Sequence, residues 1–375
     1  MMKAIKYNKT RGLYMEHNVS IPEIVNSNNV ILKMLAAGIC GTDLSVSKGS
    51  FPVPDDTTLG HELCGVVHKI GSKVKNVTVG QRVAIRPTKG CNSCYFCGTN
   101  IPNVCPKGGI IKGRGIGLDG GMAQYILVDD VDVHPIPDDL TSSQAVLIEP
   151  LSCLLNAWKI SNVASKDHSK VLILGGGIGG LHLLNYLDFI EVKNLTICQR
   201  SEDRRKRIEK LAYKNVTVVS DVSLQEEYLK HSEDELWGFD NIIDCTGNPD
   251  VIQTAYNYLR PGGRFVIYGC CPANTFIKVP IQDLTFKEKH ISGSFLQPYT
   301  YGAAVENIVK LARSGRLKLS NYGVQEYSID DYKSGFADLN SRKINKGILF
   351  IDLPLSNINI WRKQTKEEKF GFSSS

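Results

Sequence analysis

Four cysteines, Cys91, Cys94, Cys97 and Cys105, are spaced C-x2-C-x2-C-x7-C. Short loops of this kind wrap four thiolates tetrahedrally around Zn²⁺ and leave no open position, so such a site is structural. Any chemistry must come from other residues. Cys40, in Cys40-Gly-Thr-Asp43, and His61, in Gly60-His-Glu62, each stand beside glycines that suggest tight turns. A thiolate and an imidazole suit Zn²⁺, and a catalytic site needs three protein ligands with one position left open. The third ligand is expected to be a carboxylate, either Glu62 or Glu149. Glu149 lies in the largely apolar run 145–155, where an unpaired carboxylate would cost several kcal/mol in desolvation.

The reaction partner is implied further along the chain. Val171-Leu-Ile-Leu174 leads directly into Gly175, Gly177 and Gly180, a G-x-G-x-x-G turn between a strand and a helix. Its glycines allow the tight turn, the approach of a pyrophosphate and close helix packing. The free N–H groups that open the helix, at Ile178, face the phosphates. In NAD-binding proteins an acid follows about 20 residues on, at the end of the second strand. Here the run Leu195 to Cys198 ends in Gln199-Arg-Ser201, without an acid. Arg200, with Arg204 a helical turn later, can hold a 2′-phosphate by charge-assisted hydrogen bonds. NADP(H) is therefore expected over NAD(H), with Gln199 toward the ribose.

Elements that could position these residues are readable in outline. A chain of 375 residues exceeds the usual single core. Its first part is rich in short β-type runs (30–34, 64–70, 81–85, 123–128) broken by Gly, Pro, Asn and Asp, which reads as an irregular β domain. From Lys170, six short runs (171–174, 195–198, 216–219, 241–244, 264–268, 290–293) alternate with helix-length segments. That alternation implies βαβ units and a doubly wound parallel sheet. Helix-like sequence over 301–314 then leads back to β-type runs that rejoin the first domain. The expected division is 1–154 with 294–354, 155–293 between them, and a disordered tail, 355–375.

Composition narrows the classes further. Hydrophobic residues make up 42% and charged residues 22%, and no stretch nears the ~18 consecutive apolar residues of a membrane span. Without a visible secretory signal, a cytoplasmic protein is expected. Of eleven cysteines, Cys64, Cys153, Cys198, Cys245, Cys270 and Cys271 read as small buried hydrophobes. A net charge of +6 is modest. The basic run Arg200 to Lys210 is interspersed with Glu202, Asp203 and Glu209, so it reads as a solvated helix face. A zinc knuckle contacting nucleic acid is disfavoured because no aromatic residues interleave with this run.

Taken jointly the motifs resemble the zinc-dependent medium-chain dehydrogenases, particularly the sorbitol and other polyol dehydrogenases and their threonine and sugar-phosphate dehydrogenase relatives. The resemblance spans about residues 1–352. It rests on Gly38-Ile-Cys-Gly-Thr-Asp43, Gly60-His-Glu62, the four-cysteine loop, Gly120-Gly-Met-Ala-Gln-Tyr125, Glu149-Pro-Leu151, the glycine turn, Phe239-Asp-Asn-Ile-Ile-Asp-Cys-Thr-Gly247 and Pro261-Gly-Gly-Arg-Phe265. It implies a GroES-like catalytic domain and a Rossmann cofactor domain, one catalytic and one structural zinc, and a homodimer or homotetramer. It implies catalytic zinc ligation by Cys40, His61 and a glutamate, Glu62 or Glu149. Thr42 would contact the reacting oxygen, Asp43 would steady His61, and Glu149 is the alternative proton exit because Ser45 replaces a histidine of liver-type enzymes. Thr246, Tyr268 and Phe295 complete the expected cofactor contacts. The substrate is expected to be a polyol or the matching ketose, with threonine and sugar-phosphate oxidation by NAD as alternatives. Phe51, Ile116, Phe295 and Tyr299 are expected to line its pocket.

Overall fold

A computed structural model describes residues 1–351 except Glu235 and Pro298, so the expected tail lies outside the described residues. The chain forms two compact units, one of residues 1–149 with 323 onward and one of residues 150–322. Among the described residues no helix is long and apolar enough to cross a membrane.

In the first unit a seven-stranded sheet runs in the order Val324–Ser328, Lys346–Phe350, Asn29–Ile39, Glu62–Ile70, Arg82–Ile85, Val133–Pro135, and Tyr125–Asp129 also pairs with Asn29–Ile39. Ile5, Leu32, Met34, Ile39, Leu63 and Ile85 are essentially inaccessible, each contributing roughly 1.5–3 kcal/mol relative to an exposed side chain. The consequence for function is register. Ile39 pairs with Gly347 and Gly38 with Glu62, so three neighbouring strands bring Cys40, His61-Glu62 and Lys346 to one end of the sheet.

The second unit holds six parallel strands, Lys170–Leu174, Asn194–Cys198, Val216–Val219, Phe239–Asp244, Leu259–Ile267 and His290–Gly293. Numbered in chain order, they lie 3-2-1-4-5-6 across the sheet, the doubly wound dinucleotide-binding order. Val171, Leu172 and Ile173 have no accessible surface, as expected for a parallel strand covered on both faces.

The return to the first unit occurs at Gly323 and not at residue 294, and the first crossing falls after Glu149 and not after residue 154. Packing explains the later return. The helix Tyr301–Arg313 buries Tyr301, Ala304, Ile308 and Leu311, one helical face. Beyond it, Arg316 pairs with Asp188, and Asn185 donates to the Tyr322 hydroxyl. Both Asp188 and Asn185 belong to the helix Ile178–Phe189 of the second unit.

Candidate metal centres and cofactor turn

Cys40 follows the strand Asn29–Ile39 and caps the helix Gly41–Ser47, where Asp43 Oδ2 accepts the Cys40 N–H at 2.8 Å. This return of a third-position acid to the cap amide fixes the first turn. His61 immediately precedes the strand Glu62–Ile70. Donor atoms of Cys40, His61 and Glu62 lie within 4.8 Å of one another. Cys40 Sγ is 3.8 Å from Thr42 Oγ1. His61 Nδ1 and Asp43 Oδ1 are buried without hydrogen-bond partners and face each other across 3.7 Å, longer than a hydrogen bond. Burial alone would lower the basicity of His61, but Asp43, Cys40 and Glu149 outweigh it and hold the imidazole well above its ordinary pKa. A soft thiolate, an imidazole and surplus buried carboxylates fit Zn²⁺.

Glu62 has a prior engagement. Lys346 Nζ donates to its two carboxylate oxygens at 2.6 and 2.7 Å and to the Ile39 carbonyl at 3.1 Å, which uses all three ammonium donors. The side chains are 4% and 1% exposed, so neither charge has water as a substitute. Burial would lower the Lys346 pKa, yet Glu62 and Cys40 raise it above the ordinary value. Gly38 makes room for the pair, because a Cβ there would stand 2.1 Å from Glu62 Oε2. Glu149, buried in the first turn of the helix Ile148–Ser161, also acts on this centre, since its charge raises both His61 and Lys346.

Cys91, Cys94, Cys97 and Cys105 bring their sulfurs within 4.8 Å of one another. Cys94 Sγ lies 3.6 Å from both Cys97 Sγ and Cys105 Sγ. Zinc–sulfur bonds of about 2.3 Å require tetrahedral edges of about 3.8 Å, so the loop is already close to a metal cage. The Ser93 hydroxyl and backbone pull the Cys91 thiol down to about 6. At Cys94 the Cys97 backbone is outweighed by burial and by the sulfurs of Cys105, Cys97 and Cys91, which push that thiol up to about 11, so a cation is needed for all four to be thiolates together.

In the second unit the glycine turn joins the first parallel strand to the helix Ile178–Phe189. Gly175 has φ +96°, and a side chain on Gly180 would begin 1.8 Å from the Gly175 carbonyl oxygen. Gln199 Oε1 accepts the Gly176 N–H at 2.8 Å, tying the end of the second strand to the turn. Arg200 is exposed and Arg204 half-buried.

Two family models match the chain: the alcohol dehydrogenase GroES-like domain over residues 26–138 and the zinc-binding dehydrogenase over residues 180–310. D-arabinitol dehydrogenase 1 of Uromyces fabae is 27% identical, covering 92% of this chain and 96% of the relative. L-threonine 3-dehydrogenase of Chromobacterium violaceum is 28% identical over 93% and 99%. Among solved structures, a Sinorhizobium meliloti protein assigned as a zinc-binding dehydrogenase and bound to NADP superposes with a TM-score of 0.81, at 27% identity over 94% of this chain and 99% of that one. The chain belongs to the zinc-dependent medium-chain dehydrogenases. It is an NAD(P)-dependent alcohol dehydrogenase in the broad sense of that family.

As a medium-chain dehydrogenase the protein keeps its expected residues in two groups. Cys40, Thr42, Asp43, His61, Glu62 and Glu149 belong to the first unit. Gly175, Gly177, Ile178, Gly180, Gln199, Arg200, Arg204, Thr246, Tyr268 and Phe295 belong to the second. Ile116 is buried in the first unit's core and Phe51 packs against that core, whereas Phe295 and Tyr299 are 44% and 57% exposed. The basic run forms an exposed helix, Glu202–Glu209, with Lys206 paired to Glu202. Sequence reasoning missed Lys346, although a lysine opening the apolar run Lys346-Gly-Ile-Leu-Phe350 was the same signal that drew attention to Glu149. It also missed Arg205, which donates to the Gln199 and Arg200 carbonyls at 2.8 and 2.5 Å and shapes the backbone on which Arg200 stands. Cys64, Cys153 and Cys198 are buried as expected. Cys270 and Cys271 are exposed, because they follow the last residue of a strand and not its interior.

Proposed function

We propose that this enzyme interconverts a secondary alcohol of a polyol and the matching ketose with NADP(H). The observation that carries the reading is the donor set at one end of the first unit's sheet, a half-buried Cys40 with buried His61 and buried carboxylates, in a chain whose second parallel strand ends without the ribose-binding acid. The likeness to D-arabinitol dehydrogenase supports the substrate class. When bound, zinc lowers the pKa of an alcohol and the nicotinamide accepts hydride.

The remaining work falls to side chains. Cys40 and His61 would hold the metal with a carboxylate as third ligand, Glu149 in this reading, while Glu62, whose oxygen lies in the same cluster, stays with Lys346 as a reserve. Asp43 faces the second nitrogen of His61 and sets the ring's orientation. Thr42, next to Cys40 Sγ, would take the hydroxyl proton and pass it on; Ser45 stands in place of a relay imidazole, so Glu149 is the alternative exit whenever Glu62 takes its place on the metal. Gly175, Gly177, Ile178 and Gly180 cradle the pyrophosphate, Gln199 holds the turn and reaches toward the ribose, and Arg200 and Arg204 hold the 2′-phosphate. Thr246, Tyr268 and Phe295 flank the nicotinamide end. Cys91, Cys94, Cys97 and Cys105 hold a structural zinc, and the working form is a homodimer or homotetramer.

Steady-state rates with sorbitol, xylitol, arabitol, threonine and simple alcohols, each with NADP⁺ and NAD⁺, test the reading. Polyol turnover with NADP⁺ is expected. Preferential turnover of threonine with NAD⁺ would replace it by the function of the threonine dehydrogenase relative. Cys40→Ser should abolish turnover while leaving the fold and dinucleotide binding intact, and retained turnover would remove the metal from the chemistry.

A further inference from the structure

Of the eleven cysteines, four form the closed cluster, Cys40 belongs to the catalytic centre, Cys64, Cys153 and Cys198 are buried, and Cys245 is half-buried. The two that remain, Cys270 and Cys271, are exposed and adjacent. They follow the strand Leu259–Ile267 at the carboxyl end of the parallel sheet, the end where such sheets bind their ligands.

Buried Asp244 ties this loop to its neighbour. The Asp244 carbonyl accepts from Tyr268 N–H at 3.1 Å and Gly269 N–H at 2.9 Å. Its carboxylate accepts from Thr246 N–H at 2.9 Å, the Thr246 hydroxyl at 2.5 Å and Gly247 N–H at 3.1 Å. The two loops touch so closely that a Cβ on Gly247 would stand 2.3 Å from the Cys270 carbonyl oxygen. They also overlie the first turn of the glycine helix. A Cβ on Gly179 would lie 3.5 Å from the Tyr268 ring and 3.9 Å from Cys245 Cβ. The loop that carries Cys270 and Cys271 therefore borders the surface assigned above to the dinucleotide, and the inference rests on that assignment.

We propose that Cys270 and Cys271 form a thiol-exchange site at which a low-molecular-weight disulfide, of the class of glutathione disulfide, reversibly blocks dinucleotide binding. In the exchange the cysteine thiolate attacks one sulfur of the disulfide. The protein–sulfur bond forms as the small disulfide bond breaks, and the departing thiolate takes up the proton that the cysteine released. The adduct is bulky, and its surplus carboxylates oppose the negative pyrophosphate.

The test uses full-length, zinc-loaded protein treated with glutathione disulfide, followed by intact mass, peptide mapping, zinc release and NADPH and NADH fluorescence titrations. The expected result is one adduct on Cys270 or Cys271, no zinc release, and a dinucleotide Kd raised at least tenfold and restored by dithiothreitol. Bound dinucleotide should slow the modification at least tenfold. Cys270→Ser/Cys271→Ser should bind dinucleotide like the parent and ignore the disulfide. An adduct that leaves the Kd unchanged, or loss of binding that persists in the double-serine protein, would overturn the proposal alone. Untreated protein that binds neither dinucleotide would overturn the cofactor assignment, and the proposal with it.

Discussion

Replacing Lys346 by methionine isolates the buried ion pair. The pair joins side chains 4% and 1% exposed, and three donated hydrogen bonds converge from one ammonium. Met fills most of the lysine stem, so lost packing is small and the main effect is an orphaned Glu62 carboxylate. Removing one partner of such a pair costs about 3–5 kcal/mol, and for a unit of this size that is a fall in Tm of roughly 6–20 °C. The measurement belongs in a Cys40→Ser background, where a catalytic-site metal does not offer Glu62 a substitute partner. Urea unfolding gives the free energy. Adding Glu62→Gln should recover more than half of the loss, because the orphaned charge, and not the missing lysine, is what destabilises. A Lys346→Met protein within about 1 kcal/mol of its parent, or a double variant no better than the single one, would refute the reasoning.

Other expectations follow from the same geometry. Gly38→Ala places a Cβ against Glu62 Oε2, so it should lower stability by a few kcal/mol, read by thermal melting; a neutral effect would mean that the carboxylate has room to move. Arg200→Asp should weaken NADP⁺ binding at least tenfold more than NAD⁺ binding in fluorescence titrations, and equal losses would assign the arginine to solvent. Cys97→Ser should lower stability or oligomer content while any correctly folded remainder keeps near-normal turnover; a folded, assembled but inactive variant would contradict a purely structural metal. His134, held down to about 4 by burial and by Arg86, binds its proton more readily when unfolded, where its pKa is near 6.5. Stability should therefore fall as pH drops from about 6.5 to about 4. After allowance for partial solvent screening the loss is of order 1–2 kcal/mol, and His134→Gln should flatten that part of the curve in urea titrations.

Periodicity and punctuation carried most of the architecture. The six parallel strands were legible because short apolar runs alternate with helix-length segments, and the glycine turn because its spacing is local. The unit boundary at Gly323 was not, since the helix Tyr301–Arg313 is amphipathic and its pattern does not name the surface it covers. Local motifs likewise identified Cys40, His61 and Glu62, but the hold of Lys346 on Glu62 depends on strand register across 284 residues, which neither motif encodes. Cys270 and Cys271 were misread because the apolar strand Leu259–Ile267 continues into them by composition, whereas the backbone leaves the sheet first. Whether a carboxylate near a metal site is free to ligate is a question of three-dimensional pairing, and Glu62 and Glu149 look alike until Lys346 is in place.

The same span sets an order of assembly during synthesis. Cys40, His61 and Glu62 leave the ribosome long before Lys346, with the whole second unit made in between. At about 5–20 residues per second, the 284-residue separation corresponds to a delay of about 15–60 s. Throughout that interval Glu62 lacks Lys346 and its end of the sheet lacks the strand Lys346–Phe350. The nascent enzyme thus begins with a carboxylate that an arriving metal can take without competition, and Lys346 becomes its competitor only when the last described strand is zipped into place.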